Sequence, residues 1–265
     1  MSLVSDDAIC LRKTEYSETS QILTLLMREQ GIVRAIAKGA HRRTKAGASR
    51  FDGGIDLLDL GQCVFTGDTS RELAILTDWK LREGHLELRK KLRGLYLAMY
   101  GGELVSMMLE EHDPHPEVFD LLQQTLAQLA GAGMEEAFLY FELALLRHTG
   151  FMPEFGQCAS CHSPIGDREG VWFAASRGGI VCRNCQDSFP ERMPLDVRLL
   201  RLLRGVQICD PNRLPRLTRH QTDPLNYLLV EHIEHALGKR PKLAAYVLPR
   251  RSGNQFTCNS IGQRA

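Results

Sequence analysis

The sequence predicts an α+β protein with a zinc module, and three observations support this fold class. Short apolar runs punctuated by glycine and polar residues fill residues 1–80. Helical periods begin near Trp79 and recur as far as Leu237. Two C-x2-C pairs lie between residues 158 and 185, with twenty residues separating them. Each observation indicates a different part of the chain, and 265 residues are more than one hydrophobic core usually needs.

The N-terminal pattern is typical of a small barrel or sandwich, because several short runs recur at near-regular spacing. The predicted strands are Ala8–Lys13, Ser20–Arg28, Ile32–Lys38, Ile55–Leu60, Cys63–Thr66 and Leu73–Leu76. In the third strand, the even-numbered residues share one face and the odd-numbered residues share the other. No long helical period separates the runs, which argues against a βαβ fold.

Amphipathic periods predict the helices that follow. They cover Leu95–His112, Pro116–Leu129, Met134–His148 and Asp196–Val206. A further helix is predicted to begin at Asp223-Pro224, an N-cap acceptor followed by proline at the first helical position. It is predicted to end at Gly238, beside Lys239 and Arg240.

The cysteine pairs predict a structural zinc site. The four ligands are Cys158, Cys161, Cys182 and Cys185. Two short pairs fill the tetrahedral shell that Zn²⁺ prefers and leave no position open for water or substrate. Two disulfides or a redox C-x2-C are the alternatives. Both fit poorly, since nothing in the sequence indicates an exported or thioredoxin-like chain.

The remaining composition predicts a cytoplasmic protein. Apolar content is 43% and charged content 25%, and no stretch approaches the roughly 20 apolar residues of a membrane span. The N-terminus lacks the basic and apolar regions of a signal peptide. The other cysteines are expected to be small buried hydrophobes in a reducing compartment. They are Cys10, Cys63, Cys209 and Cys258.

Charge is segregated along the chain although the net charge is only +1. Between Arg34 and Arg50 there are six Lys or Arg residues and no acid. Between Glu103 and Glu142 there are nine acids and no Lys or Arg. Six arginines stand against one acid between Arg198 and Arg219. The sign of the charge in each segment therefore indicates more about binding partners than the net charge of the whole chain does.

The first basic segment is the main candidate for nucleic-acid contact. Its residues are Arg34, Lys38, His41, Arg42, Arg43 and Lys45. Cations on a glycine-hinged loop between strands suit a phosphate backbone, because neutralising phosphates releases condensed counterions. A solvated surface loop is the alternative. A second basic cluster is expected at Arg89, Lys90, Lys91 and Arg93.

Two further groups have more than one interpretation. Arg198, Arg201 and Arg204 share one helix face, which could bind nucleic acid or an acidic partner tail, or pair with the acidic helices of residues 103–142. His232 and His235 could ligate a metal, but a polar solvated face is favoured. Trp79 and Trp172 are expected to pack, and base stacking by exposed aromatic rings is the alternative. No P-loop, Rossmann fingerprint or G-x-S-x-G motif is present, and no catalytic residue is predicted.

The ordered set of motifs resembles the RecO family of bacterial DNA recombination and repair mediators over residues 8–248. Four stretches carry the resemblance. They are Arg12–Lys38, with Glu18-Thr19-Ser20 before an apolar strand and Gly31 opening a strand that ends in Ala37-Lys38-Gly39-Ala40; Glu111–Pro116; Leu146–Gly150 followed by the two cysteine pairs; and Leu229–Arg240.

The resemblance implies an N-terminal OB-fold barrel and a helical domain with the zinc module inserted between its helices. The implied boundaries are 1–80 for the barrel, 81–152 and 191–250 for the two helical parts, 153–190 for the zinc module and 251–265 for a flexible tail. The implied activity, in the RecFOR pathway, is binding of single- and double-stranded DNA and annealing of complementary strands. With RecR, the protein would load RecA onto DNA coated by single-stranded DNA-binding protein (SSB).

The resemblance also implies that the acidic, apolar C-terminal tail of SSB binds an apolar pocket with a basic rim. Arg198, Arg201 and Arg204 are candidates for that rim by their chemistry. The segment Pro241–Ala244 departs from the Leu-Lys-Ser stretch associated with the family. Two alternative hypotheses belong to other functional classes. One is a zinc-ribbon transcription or RNA-binding factor built on an OB-fold, and the other is a zinc enzyme with an open coordination position.

Overall fold

The computed structural model describes residues 3–41, 50–51, 54–66, 73–166 and 170–248. The chain forms two compact units, Met1–Gly150 and Phe151–Ala265. The predicted residues Arg42, Arg43 and Lys45 lie outside the described part, as do Cys258 and the predicted tail. The division of the second half into a zinc module and a returning helical part stays a prediction.

The first unit begins with a closed five-stranded barrel, which confirms the predicted barrel. Its strands are β1 (Leu3–Ser17), β2 (Ser20–Met27), β3 (Gly31–Ala37), β4 (Leu60–Thr66) and β5 (Ala74–Glu83). They pair in the order β1-β2-β3-β5-β4, and β1 closes the barrel against β4. Only β3 and β5 run parallel among the described pairs, which is the connectivity of an OB-fold.

Alternation along the strands sends one set of side chains into the barrel core. In β3, Val33, Ala35 and Ala37 are fully buried, whereas Arg34 and the following Lys38 are exposed. Trp79 and Phe65 are the largest side chains of this core, so the predicted packing role of Trp79 is confirmed. Since one face is apolar and the other carries charge, the register of these strands is strongly specified.

Two bulges in β1 determine what its outer face presents. The pairing of β1 with β2 shifts between Cys10 and Arg12 and again between Glu15 and Ser17. Each shift leaves one extra β1 residue without a partner on β2, Leu11 in the first bulge and Tyr16 in the second. Arg12 and Thr14 pair with Thr24 and Ile22 on the outer face, and the alternation of β1 assigns Tyr16 to the same face.

The predicted strand Ile55–Leu60 is wrong, because only Leu60 belongs to a strand and the preceding residues form a loop. The Gln21 side chain forms hydrogen bonds with both backbone groups of Ile55. Its Oε1 accepts from the Ile55 N–H at 3.0 Å, and its Nε2 donates to the Ile55 carbonyl at 3.3 Å. Leu58 adopts a left-handed φ of 66° and donates to the Cys10 carbonyl. These contacts replace a strand ladder for this segment.

Helices complete the first unit. They are α1 (Leu86–Arg89), α2 (Leu92–Met108), α3 (Pro116–Leu129) and α4 (Met134–His148). Helices α3 and α4 match their predicted ranges, whereas α2 begins three residues and ends four residues before the predicted Leu95–His112, and α1 was not among the predicted ranges. Their core includes the ring pairs Tyr100–Phe138 and Phe138–Phe141, with centroids 5.5 and 5.7 Å apart. Glu142 is fully buried in α4, and burial raises the pKa of its carboxyl well above the ordinary value.

The loop between α2 and α3 packs on the barrel at Gly31. The backbone N–H of His112 donates to the Ile32 carbonyl at 3.0 Å. A Cβ on Gly31 would lie 2.2 Å from the Asp113 carbonyl oxygen, and Gly31 has φ +70°. Glycine is therefore required both by the backbone conformation and by this close approach. Ile32 is buried on the outer face for the same reason.

In its described residues, the second unit has a three-stranded sheet, three α-helices and two short 3-10 turns. The elements are β6 (Val171–Ala174), β7 (Gly179–Val181), β8 (Met193–Leu195), α5 (Val197–Ile208), α6 (Arg219–Leu237) and α7 (Ala244–Val247). The sheet order is β7-β6-β8, and both pairings are antiparallel. Phe173 is buried and Trp172 half-buried on β6, in the strand where packing was predicted.

Helix α6 begins four residues before the predicted Asp223. Thr218 is its N-cap and forms a capping box with Gln221, whose Oε1 accepts from the Thr218 N–H at 2.9 Å. The capping box satisfies first-turn donors, and Pro224 lies inside the helix, where its missing N–H removes one intrahelical hydrogen bond. The predicted end at Gly238 is confirmed by its left-handed φ of 67°. No helix among the described residues is long and apolar enough to cross a bilayer.

Candidate functional site

The four predicted cysteine ligands converge at one point of the second unit. All four Sγ atoms lie within 4.8 Å of one another, and the Sγ atoms of Cys161 and Cys182 are 3.8 Å apart. Tetrahedral zinc with Zn–S bonds of about 2.3 Å requires sulfur atoms about 3.8 Å apart. The four thiols therefore fit one Zn²⁺ ion with a closed coordination shell.

Two tight turns present these thiols. In the first, the Cys158 N–H donates to the Ser163 carbonyl and the His162 N–H to the Cys158 carbonyl. In the second, the Cys185 N–H donates to the Cys182 carbonyl. Strand β7 ends at Val181 and delivers Cys182, while the Ala159 N–H donates to the Ile180 carbonyl at 2.8 Å. The sheet and the first turn are thus tied together next to the thiols.

The surroundings shift the pKa values of the thiols in opposite directions. Burial raises the pKa of Cys158, but the backbone N–H groups of Cys161, Cys182 and Ser160 together lower it more. The Ser163 hydroxyl and backbone lower the pKa of Cys161 to about 6. Hydrogen bonds with the sulfurs of Cys161 and Cys182 raise the pKa of Cys185 to about 12, because they favour Cys185 as the donor that keeps its proton. A bound divalent cation would displace that proton, since a coordinating thiol is deprotonated outright.

Helices α5 and α6 hold the segment that leads into the first turn. Arg204 of α5 donates from Nε to the Phe155 carbonyl at 2.8 Å and from Nη2 to the Gly156 carbonyl at 3.4 Å. His232 of α6 lies 2.7 Å from the Phe151 carbonyl through Nε2. The predicted solvated face is therefore wrong for His232, which is 6% exposed and packs edge-on against Phe173.

Burial lowers the pKa of His232. The neutral ring has one N–H, which the Phe151 carbonyl accepts from Nε2. His235, the other predicted histidine, is exposed and does not share this environment. The pair therefore does not form a metal site, and His232 acts as a packing and hydrogen-bonding residue beside the sheet.

The outer face of the barrel is the second candidate site. Its side chains form three rows across β1, β2 and β3: Arg12, Thr24 and Arg34; Thr14, Ile22 and Ile36; and Ser17, Ser20 and, after β3, Lys38. Tyr16 is the extra β1 residue beside Ser17 and has no partner in the register. Arg12 and Lys38 are exposed, as is Arg34. None of the three forms an ion pair with a carboxylate in the part of the chain that the structure describes.

The structure brings together two of the predicted DNA-contact residues and places a third beside a carboxylate. Arg34 and Lys38 lie on the outer face. His41 Nε2 lies 3.0 Å from Glu15 Oε2. The Gln21 amide and His41 both lower the pKa of Glu15. Arg12 and Tyr16 were missed by the sequence analysis, and the alternation of β1 after its bulge is the signal that could have found them.

The expected second basic cluster is engaged within the first unit. Arg89 donates to Asp56 and Asp59 at 3.0 Å each and to the Leu57 carbonyl at 2.7 Å. Arg93 pairs with Glu135 through two bonds of 2.9 and 2.8 Å.

The two lysines between them are also engaged. Lys90 pairs with Glu87, and Lys91 Nζ donates to the Ala130 carbonyl. Arg89, Lys91 and Arg93 thus bind groups 30 or more residues away in the first unit, whereas Lys90 forms an exposed local pair. None of the four is without a partner.

Comparisons with known proteins agree with this architecture. The family model described as "Recombination protein O N terminal" matches residues 1–85, and the one described as "Recombination protein O C terminal" matches residues 89–244. The first covers the barrel and the second covers the helices and the cysteine site.

Curated relatives carry the same description over most of the chain. "DNA repair protein RecO" of Anaeromyxobacter dehalogenans (strain 2CP-C) is 33% identical over 248 residues, covering 91% of this chain and 94% of the relative. The protein of that name from Myxococcus xanthus is 32% identical, covering 91% and 96%. That from Rhodopirellula baltica is 34% identical, covering 82% and 79%. The chain belongs to the RecO family of DNA repair proteins.

Proposed function

We propose that this RecO-family protein binds single- and double-stranded DNA and anneals complementary strands as a mediator of repair and homologous recombination. The observation that carries the proposal is the outer barrel face, where Arg12, Arg34 and Lys38 project without ion pairs in the described part of the chain. Most other cations of the first unit are tied to carboxylates or carbonyls, as Arg89 and Arg93 are. An exposed group of uncommitted cations suits a phosphate backbone.

The mechanism requires no covalent chemistry. Cations on a rigid sheet neutralise phosphates, and this reduces the repulsion between two strands held on one protein. Watson–Crick pairing then selects the sequence. Lys38 leads into the segment that holds Arg42, Arg43 and Lys45, which we propose as additional phosphate contacts. His41 belongs to the same proposal, although its ring contacts Glu15.

Zinc is proposed as a structural cofactor. When bound, it supplies four bonds that fix the two cysteine turns, with no redox chemistry of its own. The residues around it do the positioning: Arg204 and His232 hold the carbonyls of Phe155 and Phe151. The zinc site therefore supports the second unit and is not assigned a reaction.

The partner contacts are proposed from the resemblance and from charge. RecR is the proposed co-mediator, and the proposed outcome is the loading of RecA onto single-stranded DNA coated by SSB. The acidic tail of SSB is proposed to bind at Arg198, Arg201 and Arg204 of α5. Arg198 and Arg201 are exposed, whereas Arg204 is half-buried and donates to two carbonyls. The first two are thus the better candidates for the rim. A cytoplasmic, nucleoid-associated location follows from this role.

Strand annealing tests the proposal. Complementary oligonucleotides are coated with the cognate SSB, either intact or without its C-terminal tail, and annealing is followed by fluorescence quenching. Annealing that depends on the tail supports both the mediator role and the tail contact. Annealing of bare DNA alone leaves the DNA-binding half and removes the SSB link. Preferential binding of RNA, or no DNA binding at low salt, contradicts the proposal and favours an RNA-binding factor.

A further inference from the structure

The outer face of the barrel has a frame of four exposed side chains around a neutral floor. Arg12 and Tyr16 stand on β1, and Arg34 and Lys38 stand on or just after β3. Neighbouring strands lie about 4.8 Å apart and alternate residues along a strand about 6.8 Å apart, so the frame measures about 10 Å by about 13 Å. Three of its corners are cations, and the fourth is a phenol.

The floor within this frame carries no charge. It consists of Thr14, Ser20, Ile22, Thr24 and Ile36, which are small or β-branched. Ile22 is half-buried and Ile36 is 8% exposed, so the floor is packed and level beneath the longer corner side chains. A flat neutral floor accommodates base faces, while cations at its edge reach the phosphates that flank them.

The exposure of Tyr16 contrasts with that of the aromatic residues in the barrel core. Tyr16 is 66% exposed, whereas Trp79 and Phe65 in the core are 2% and 0% exposed. Tyr16 is the extra residue of the bulge between Glu15 and Ser17, and it continues the outward alternation of Arg12 and Thr14 beside Ser17, which pairs with Ser20. No hydrogen bond or ring contact with another described residue holds it. The ring is therefore available as an aromatic surface on the face that carries three exposed cations.

We infer that Tyr16 stacks an unpaired base on this face and makes the barrel prefer single-stranded over duplex DNA. The inference rests on the proposed DNA-binding function and adds a residue that distinguishes the two forms. In a duplex, the bases are stacked on each other and their faces are closed to a side chain. In a single strand every base has an accessible face, so stacking is independent of sequence. The cations contact both forms, because both carry phosphates.

The test measures affinity of the full-length protein for a fluorescent twelve-nucleotide oligothymidine and for a hairpin duplex, across a salt series. Tyr16→Ala is expected to weaken binding to the single strand by about 10-fold and to change duplex binding by less than about 2-fold. Its salt slope is expected to stay unchanged, because the ring carries no charge. Tyr16→Phe keeps the ring and is expected to retain wild-type affinity.

Two matched controls separate this effect from general surface damage. Tyr246→Ala removes another tyrosine of comparable exposure, 62%, from the second unit and is expected to leave both affinities unchanged. Arg34→Gln is expected to weaken both DNA forms and to reduce the salt slope. If Arg34→Gln weakens binding but Tyr16→Ala affects the two forms equally or neither, the stacking inference is wrong and the DNA-binding proposal stands. If neither the wild type nor any variant binds DNA at low salt, the proposed function itself fails.

Discussion

Two basic segments of the first unit look alike in sequence and differ in the structure. Arg89, Lys90, Lys91 and Arg93 stand together without an acid between them, as do the cations that follow Arg34. The first group donates to carboxylates and carbonyls at the junction of barrel and helices. Arg34 and Lys38 project from the sheet with no ion pair among the described residues. Charge runs therefore indicate a binding surface only where the fold leaves the charges unpaired.

The physical reason for the difference lies in the neighbouring segments. Asp56 and Asp59 belong to a loop that Gln21 holds in place, and this loop directs both carboxylates towards Arg89. Arg34, in contrast, is exposed on β3 opposite Thr24 of β2. The outward-facing residues of β2 carry no carboxylate. The same kind of side chain thus stabilises the fold in one place and remains available for a ligand in the other.

Removal of the metal is expected to produce the largest effect, a loss of stability in the second unit. Arg204 and His232 hold the segment that leads directly to the cysteines, so loosening of the cysteine turns is expected to spread to these contacts. Structural zinc contributes on the order of 10 kcal/mol to folding in small modules. Cys158→Ser with Cys182→Ser is expected to lower the zinc content from about one ion per chain to near zero. Hydrogen exchange is expected to rise in residues 151–195 and in α5.

The control for the metal experiment is Cys209→Ser, which changes a thiol that lies outside the cluster. It is expected to leave the zinc content and the exchange pattern unchanged. Full zinc content in the double variant, measured by inductively coupled plasma mass spectrometry, would contradict the assignment of the four ligands.

The next largest effect is expected at Arg89. Arg89→Met removes donors to Asp56, Asp59 and the Leu57 carbonyl while keeping a similar side-chain length. Asp59 is 6% exposed and loses its cation, so the free energy of unfolding is expected to fall by about 2–4 kcal/mol. Urea denaturation measures this change. Lys90→Met, which breaks an exposed pair with Glu87, is expected to cost less than about 0.5 kcal/mol.

Arg12 and Arg34 are expected to show the opposite behaviour, with affinity lost and stability kept. Arg12→Gln and Arg34→Gln are each expected to weaken single-stranded DNA binding by about 3- to 10-fold in low salt and to reduce the salt slope by about 0.7. The midpoint of urea denaturation is expected to stay within error of the wild type. An equal loss of stability in these variants would mean that the cations are structural, as Arg89 is.

The smallest effect is expected at His115, which lies between α2 and α3. Burial would lower its pKa, but the carboxylates of Glu117 and Asp113, each 3.1 Å from a ring nitrogen, together raise it. A raised pKa in the folded state stabilises the protein below the unfolded value of about 6.5, and this contribution is lost as pH rises through the folded pKa.

Thermal unfolding followed between acid and neutral pH tests this contribution. The wild type is expected to lose a small part of its stability as pH rises above about 6.5, and His115→Gln is expected to lose that dependence. An unchanged pH dependence in His115→Gln would show that another group is responsible.

Much of the fold could be predicted from the sequence, because periodicity and spacing carry it. The helices α3 and α4 follow their apolar stripes closely, and the two C-x2-C pairs meet as their spacing indicates. The start of α6 could not be predicted from Asp223-Pro224, since the Thr218–Gln221 capping box competes for the same role. The loop at Ile55 was missed because a distant side chain, Gln21, satisfies its backbone.

The candidate site was predictable only in part. The basic character of Arg34 and Lys38 is visible in the sequence, but the partners of Arg89 and Arg93 are 30 or more residues away. Tyr16 follows the alternation of Arg12 and Thr14 along β1, so its face could have been predicted, but its 66% exposure and the bulge beside it could not. Which cations remain unpaired is therefore a property of the tertiary structure.

The salt dependence of DNA affinity in two matched variants tests the central contrast most directly. Arg12→Gln/Arg34→Gln/Lys38→Gln removes three cations from the outer face, and Lys80→Gln/Lys90→Gln/Lys91→Gln removes three other exposed cations from the same unit. The first is expected to lose at least about 30-fold in single-strand affinity and about 2 units of salt slope, and the second to change little. Equal losses in both variants, or a larger loss in the second, would contradict the assignment of DNA binding to the outer face of the barrel.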